Sequence, residues 1–128
     1  MSILGHGIDL VECSRIAKVW EHHGERFLNR ILTPAERGRV GLYKKSPVPY
    51  IAGRWAAKEA ILKMVGTGWR GQISWKDMEI LPDDLGQPVT TLTGETARRA
   101  QALGIRRILL SITHTDHHAS ASAIGLAE

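Results

Sequence analysis

YIAGRWAAKEAILKMV, residues 50–65, is the longest helical pattern in the chain and the segment around which the fold must form. Its four charged positions are Arg54, Lys58, Glu59 and Lys63. The rest of the stretch is apolar almost all round, which is typical of a helix buried in a protein core. Charged side chains on a buried helix must be paired or must face a ligand, so these four are the first candidates for chemistry.

Two interpretations of the charges on this helix stay open. At about 100° per residue, Glu59 and Lys63 share one edge of the helix, and Arg54 and Lys58 share another. Glu59 and Lys63 can form an i,i+4 ion pair that contributes a few tenths of a kcal/mol. They can equally belong to a binding site, and the helix alone favours neither interpretation.

An acidic residue interrupts the first apolar segment of the chain. Residues 3–12 predict a β-strand in which Asp9 stands between apolar neighbours. A carboxylate in such a strand is out of place unless it caps a donor or binds a cation. Asp9 and Glu59, held on rigid elements beside substrate phosphates and waters, would form a typical Mg²⁺ site. Whether the two carboxylates meet depends on the fold.

The other helix and strand signals follow no regular alternation, which favours an α+β fold. Ser14 is predicted to cap a helix that Gly24 ends. Thr33 and Glu36 predict a capping box at the start of another helix, and Gly66 ends the long one. We expect shorter helices at 14–23, 25–31 and 93–103, and strands at 75–81, 88–92, 108–113 and 119–124. These would form one domain, residues 1–128, with an antiparallel sheet packed against the long helix.

Composition and charge narrow the classes of function. The 128 residues carry 17 Lys and Arg against 13 Asp and Glu, a net charge of +4 that suits an acidic partner or a phosphate ligand. Nucleic-acid binders combine basic residues with stacking aromatic residues, and we see no such pattern. The single cysteine, Cys13, is interpreted as a small apolar residue. We see neither a secretory signal nor a membrane span, and therefore expect a cytoplasmic protein.

Four segments of the chain carry a recognisable set of motifs. They are GIDLVE with RI at residues 7–16, RFLNRILT at 26–33 with Glu36, RWAAKEA at 54–60 with Lys63 and GTG at 66–68, and SITHT at 111–115. In order and nearly in spacing they resemble the holo-acyl-carrier-protein synthase family, the small phosphopantetheinyl transferases. The WAAKEA run with GTG downstream is highly specific, whereas a lone SITH would be weak.

The resemblance implies an enzyme that transfers the 4′-phosphopantetheine group of coenzyme A to a serine of an apo-acyl carrier protein. The second product would be adenosine 3′,5′-bisphosphate. The resemblance implies that Asp9 and Glu59 bind Mg²⁺ and that Lys63 lies near the transferred phosphate. It places Arg54 and His114 along the coenzyme A site. It also implies a homotrimer with active sites between protomers, and a place in fatty acid biosynthesis.

Two further segments have both a structural and a functional interpretation. The turn Gly66-Thr67-Gly68 could present backbone N–H groups to a phosphate, and it could equally be a plain helix stop. His114 shares the inward-facing parity of the apolar residues in its strand, which favours a core residue, whereas the resemblance favours the coenzyme A site. His117 and His118 are adjacent on a turn and make poor metal co-ligands.

Basic residues in the first helical segments form a candidate docking face for an acidic carrier protein. Charged residues on such helices usually form only a solvated face, but the resemblance implies docking there. The best candidates are Arg15 and Arg26. Lys44 and Lys45, in a basic loop broken by proline, would assist.

Two other classes of function would also suit a small basic protein. A non-catalytic module that binds coenzyme A or a nucleotide predicts binding without group transfer. A nucleic-acid binder predicts binding that falls steeply with salt, and no helix of this chain carries the basic stripe that it requires.

Overall fold

The computed structural model describes residues 2–66 and 73–128, in which helices and strands follow one another without a regular repeat. In chain order the elements are β1 Ile3–Glu12, α1 Cys13–His23, α2 Glu25–Ile31, α3 Pro34–Arg37, a 3₁₀ turn Val40–Leu42, α4 Val48–Val65, a 3₁₀ turn Trp75–Asp77, β2 Met78–Pro82, β3 Pro88–Leu92, α5 Gly94–Ala102, β4 Arg107–His114 and β5 His118–Leu126. The predicted α+β class is confirmed.

Two antiparallel sheets flank the long helix. The larger one has the strand order β1-β5-β4, and the smaller one pairs β2 with β3. Strand β5 is therefore central and pairs with both neighbours, with Asp9 opposite Ala121 on one side and His114 opposite Ala119 on the other. The predicted antiparallel packing against a buried helix is confirmed, with α4 lying across the inner face of the larger sheet.

Two glycines let β1 approach α4 more closely than any other residue could. A Cβ atom at Gly7 would overlap the carbonyl oxygen of Ala60, and one at Gly5 would overlap that of Met64. Strand β1 therefore runs antiparallel to α4, with Gly5 beside Met64 and Gly7 beside Ala60. Because successive side chains of a strand point to opposite faces, Asp9 shares the helix-facing side with both glycines. This packing carries Asp9 towards the helix turn that bears Glu59.

The opposite face of the larger sheet is exposed and partly apolar. Among its residues, Ile8 is 59% exposed, Leu10 is 67% exposed and Leu109 is 46% exposed. Large apolar side chains gathered on one open sheet face are typical of a surface that another protein covers.

Several element boundaries differ from the sequence prediction for local reasons. Ser14 is not the cap of α1, because the helix begins at Cys13 and its N-cap, Glu12, makes no side-chain cap. The long helix starts at Val48 and has proline in its first turn, where the missing N–H costs nothing. Trp75 opens a 3₁₀ turn instead of a strand, because Ser74 accepts a hydrogen bond from the N–H of Lys76 in a capping arrangement.

The predicted helix stops at Gly24 and Gly66 and the capping box at Thr33 are confirmed. Within residues 2–66 and 73–128, no helix combines the length and the apolar character needed to cross a membrane.

Candidate active site

Lys58 and Glu36 form a completely buried ion pair at the centre of the molecule. Both side chains are 0% exposed, and the Lys58 Nζ donates to Glu36 Oε1 at 2.7 Å. The same ammonium donates to the backbone oxygens of Ile31 at 2.6 Å and Trp75 at 3.1 Å. Burial lowers the pKa of Lys58, and the charge of Glu36 counteracts part of that shift. All three ammonium protons have acceptors, so Lys58 has none left for a ligand.

Sequence reasoning missed Glu36 as the partner of Lys58. Glu36 was predicted as the second member of the capping box and as part of a family motif, and its Oε1 does accept from the Thr33 N–H at 2.8 Å. Its other oxygen accepts from the N–H of Ile80 at 2.9 Å. The available signal was Lys58 itself, a lysine without an assigned partner on a helix predicted to be buried.

Lys63 and Asp9 form a second ion pair on a different side of the same helix. The Lys63 Nζ donates to Asp9 Oδ1 at 3.2 Å and to the backbone oxygen of Ile8 at 3.0 Å. The Lys63 side chain is 53% exposed and that of Asp9 is 16% exposed, so this pair opens to solvent. The structure thus brings together two residues predicted for the phosphate and metal site.

Glu59 lies half-buried one helical turn before Lys63, on the part of α4 that Asp9 approaches. Two carboxylates are a hard oxygen donor set that suits Mg²⁺ and leaves its other positions to phosphate oxygens and waters. Among residues 2–66 and 73–128, no group of three His, Cys, Asp or Glu side chains is close enough to hold a metal. The two carboxylates are the donors that would suit a Mg²⁺ ion bound jointly with a phosphate substrate.

A cavity of about 890 Å³ lies at the far end of β1, where the last hairpin meets α1 and the start of α4. Its lining combines the aromatic rings of Tyr43 and Tyr50 with Lys45 and His114. The two tyrosine rings stack with their centroids 4.5 Å apart. Flat rings beside basic groups can hold a purine ring and its phosphates.

Arg54 lies next to this cavity, on the ring of one of its lining residues. Its guanidinium carbon is 4.7 Å from the centroid of the Tyr50 ring, and its Nε donates to the backbone oxygen of Ile80 at 3.2 Å. Arg54 and His114, both predicted for the coenzyme A site, thus lie at or beside the same cavity. His114 lies opposite the buried Ala119, on the inward side of β4 as its parity predicts, but it is exposed and is not a core residue, because the strand runs past the core.

Residues of the last turn and the start of α1 also line this cavity. They include Cys13, whose thiol pKa is raised by burial and, to a smaller extent, by Asp116. A raised pKa keeps the thiol protonated, in agreement with the prediction of an unreactive cysteine. His117 and His118 line the cavity as well.

The two halves of the predicted site do not share one cavity within the described part of the chain. Asp9, Glu59 and Lys63 are absent from the described lining of the cavity that holds His114. Glu59 and Arg54 are five positions apart on α4, which turns their side chains about 140° away from each other. A single chain therefore offers a carboxylate–lysine half and an aromatic–basic half on different sides of α4.

A second groove, of about 700 Å³, lies between α1, α2 and the 3₁₀ turn that begins at Trp75. Arg26 and Arg30 lie on one wall, and Trp55 and Trp75 provide an aromatic floor with ring centroids 4.4 Å apart. The Arg15 guanidinium is 6.0 Å from the centroid of the Trp55 ring. Arg15 thus lies beside Trp55, which lines the groove together with Arg26. We call the surface made of the groove lining and Arg15 the basic groove.

The other predicted binding residues lie elsewhere. Lys45 lines the cavity near His114 and is absent from the described lining of the basic groove. Lys44, its neighbour in sequence, is exposed. Gly66 has left-handed φ, and its N–H donates to the oxygens of Leu62 and Lys63. That N–H is used to end the helix, which favours the helix-stop interpretation. Thr67 lies outside the described residues.

Comparisons with known proteins place the chain in a family. A family model described as the 4′-phosphopantetheinyl transferase superfamily matches residues 5–122. Holo-acyl-carrier-protein synthase of Koribacter versatilis is 48% identical over 122 residues, which cover 95% of this chain and 97% of the relative.

Solved structures are similar to this chain over nearly its whole length. The holo-acyl-carrier-protein synthase of Neisseria meningitidis superposes with a TM-score of 0.88 at 35% identity, covering 98% of this chain and 99% of that one. The synthase of Helicobacter pylori, solved in complex with coenzyme A, superposes with a TM-score of 0.80 at 29% identity, covering 94% and 99%.

Proposed function

Because this chain belongs to the 4′-phosphopantetheinyl transferase superfamily, we propose that it is a holo-acyl-carrier-protein synthase. In this reaction the 4′-phosphopantetheine group of coenzyme A passes to a serine of an apo-acyl carrier protein. The observation that carries the proposal is the junction of β1 and α4, where Asp9 is paired with Lys63, one helical turn after Glu59. The family predicted from the sequence motifs is confirmed.

The chemistry requires attack on a phosphorus atom that carries several negative charges. The serine oxygen bonds to the β-phosphorus of coenzyme A, the bond from that phosphorus to the bridging oxygen breaks, and adenosine 3′,5′-bisphosphate leaves. Asp9 and Glu59 would hold Mg²⁺, which supplies charge neutralisation on the pyrophosphate oxygens when bound. Glu59 would accept the serine proton, and the Lys63 ammonium would stabilise charge on the departing phosphate.

We also propose that the active site is completed by a second copy of the chain in a homotrimer. The separation of the Asp9–Lys63 half from the Arg54–His114 half supports this, because one chain offers the two halves on different sides of α4. The exposed apolar side chains on the outer face of the larger sheet, such as Leu10, supply a surface for self-association. With this function we propose a cytoplasmic location and a role in fatty acid biosynthesis.

The basic groove is the proposed docking surface for the acidic carrier. Arg15 and Arg26 supply positive charge, and the paired rings of Trp55 and Trp75 supply an apolar floor. Interfaces of this kind gain encounter rate from charge and residence time from buried aromatic contacts.

The transfer itself is tested by incubating the protein with coenzyme A, Mg²⁺ and an apo-carrier protein, and measuring the carrier by mass spectrometry. We expect the mass of one phosphopantetheine group to be added, and we expect a folded Glu59→Gln variant to lose this activity. A non-catalytic coenzyme A-binding module would bind coenzyme A without changing the carrier mass. Unimpaired Mg²⁺-dependent transfer by Glu59→Gln would place the metal elsewhere.

The composite site is tested by complementation between two inactive variants. Glu59→Gln damages one half and His114→Ala damages the other, so refolding the two variants together should create some intact sites and restore part of the activity. Light scattering on the wild type should give three times the mass of one chain. A fully active monomer, or a lack of restored activity in mixed trimers, would contradict the shared site.

A further inference from the structure

Lys58 precedes Glu59 in the motif that identifies the family, yet its side chain points away from the Asp9–Lys63 pair. Its three acceptors lie on separate elements: Ile31 at the end of α2, Glu36 in α3 and Trp75 at the start of a 3₁₀ turn. A single ammonium thus joins three segments that are distant in sequence.

Two of these acceptors belong to residues that line the basic groove. Ile31 and Trp75 both lie in its lining, as do Arg26 and Arg30. Their backbone oxygens meet at the Lys58 Nζ, with distances of 2.6 Å and 3.1 Å. The ammonium therefore joins the α2 wall of the groove to its aromatic floor at Trp75.

The floor of the groove depends on the same connection. Trp55 lies one helical turn before Lys58 on α4, and its ring packs 4.4 Å from that of Trp75 and 6.1 Å from that of Phe27. Moving Trp75 relative to α4 would separate these rings and change the distance between the aromatic floor and Arg26.

We propose that Lys58 is a positioning residue for the carrier protein: its buried ammonium fixes the width of the basic groove and leaves coenzyme A and Mg²⁺ to other residues. This inference rests on the proposed docking of an acidic carrier at Arg15 and Arg26. The ammonium fits this role because it is a compact donor of three hydrogen bonds. Replacing it with an apolar group would remove the counter-charge of the buried Glu36 carboxylate and the donor that joins the backbone oxygens of Ile31 and Trp75.

The first test compares Lys58→Met with Ile105→Ala. Ile105 is a buried residue that contacts Gly125 of the larger sheet and is absent from the described lining of the groove, so its truncation matches the loss of stability without touching the groove. We expect Lys58→Met to raise the KM for the carrier by about tenfold or more while the KM for coenzyme A changes by less than about twofold. Ile105→Ala should change neither KM.

A second variant keeps the test decisive if Lys58→Met does not fold. Lys58→Met combined with Glu36→Gln leaves no buried charge, and glutamine retains the capping-box geometry. The closely packed Trp55 and Trp75 rings, which are tilted by 31°, should give an exciton couplet in the circular dichroism spectrum, and this couplet should weaken in the double variant and persist in Ile105→Ala. The spectrum needs no substrate, so it tests the positioning role even if the wild type proves unable to modify a carrier.

The proposal is overturned if folded Lys58 variants keep both the couplet and the wild-type KM for the carrier. It is also overturned if the KM for coenzyme A rises as much as that for the carrier, because Lys58 would then act on the coenzyme A site. Inactivity of the wild type towards every carrier, with the couplet behaving as expected, would count against the proposed function and leave the structural role of Lys58 supported.

Discussion

Helix α4 carries two lysines that form ion pairs of opposite kinds. Lys58 is paired with Glu36 at 2.7 Å in the complete absence of solvent, whereas Lys63, five residues later, is paired with Asp9 at 3.2 Å on an open surface. The first ammonium has all its protons taken by protein acceptors, and the second faces a place where a ligand can enter. One apolar helix thus separates a group that organises the fold from a group available for chemistry.

The largest expected effect comes from breaking the buried pair. Lys58→Met should lower the free energy of unfolding by about 3–5 kcal/mol, because it leaves the Glu36 carboxylate buried without its counter-charge. Urea unfolding measures the loss. Adding Glu36→Gln should recover part of it, since the uncompensated charge is removed. A loss as small as that of a surface pair would contradict the distinction between the two lysines.

Breaking the exposed Asp9–Lys63 pair should reduce activity strongly and stability only slightly. Lys63→Met should reduce the transfer rate by about 100-fold, because a cation aimed at developing charge is lost. Its free energy of unfolding should change by less than about 1 kcal/mol, as expected for an ion pair open to solvent. Steady-state kinetics and urea unfolding on the same preparation decide the matter. Lys63→Arg, which keeps the charge, is the control and should retain more activity than Lys63→Met.

A smaller effect is expected at the groove that Lys58 supports. Replacing Arg15 and Arg26 together by glutamate should raise the KM for the carrier by about tenfold and leave the KM for coenzyme A nearly unchanged. Added salt should weaken the wild type in the same direction, because exposed charges are screened within about 10 Å at 0.1 M. Arg98→Glu, on α5, is a single charge reversal elsewhere on the surface; it is the control for Arg15→Glu and Arg26→Glu measured one at a time, and should have little effect.

The two pairs were not equally predictable from the sequence. Asp9 was conspicuous because it interrupts an apolar strand, and the glycines at positions 5 and 7 permit the close approach of β1 to α4. The partnership of Lys58 and Glu36 joins positions 22 apart, and nothing local specifies it. Periodicity therefore predicted the elements and the burial of the helix, while the pairing of its charges required the tertiary fold.

The position of His114 illustrates a second limit. Alternation along β4 correctly places Ile112 towards the core, but it cannot indicate where a strand runs past the core and its side chains become exposed. The parity gave the correct side of the strand for His114, opposite Ala119, but not its exposure. Chain-end effects of this kind depend on the length of the neighbouring elements.

Tyr50 offers a test of how the buried pair is connected to the cavity near His114. Its hydroxyl donates to the backbone oxygen of Glu36 at 2.9 Å, and burial raises its pKa. Tyr50→Phe removes this hydrogen bond and should lower the free energy of unfolding by about 1 kcal/mol. The ring that packs on Arg54 is retained, so the KM for coenzyme A should hardly change. An increase in that KM as large as the one from Arg54→Ala would show that the hydroxyl contacts the ligand.

The smallest expected effect is on the free energy of unfolding at alkaline pH, to which the Cys13 thiol and the Lys58 ammonium contribute with opposite signs. The pKa of Cys13 is raised from 9.0, so above that pH the unfolded thiol ionises while the folded thiol keeps its proton. The folded state then binds more protons, and stability falls as the pH rises from 9.0 towards the folded pKa.

Lys58 acts with the opposite sign. Its folded pKa lies below 10.5, so the unfolded state binds more protons between the two values and stability rises with pH there. Cys13→Ala removes only the thiol contribution. Urea unfolding of the wild type and Cys13→Ala at several pH values between about 8 and 10 should therefore give a wild type that loses more stability with pH than the variant. Parallel curves would mean that the Cys13 thiol titrates alike in both states, and its burial beside the cavity would then carry no electrostatic cost.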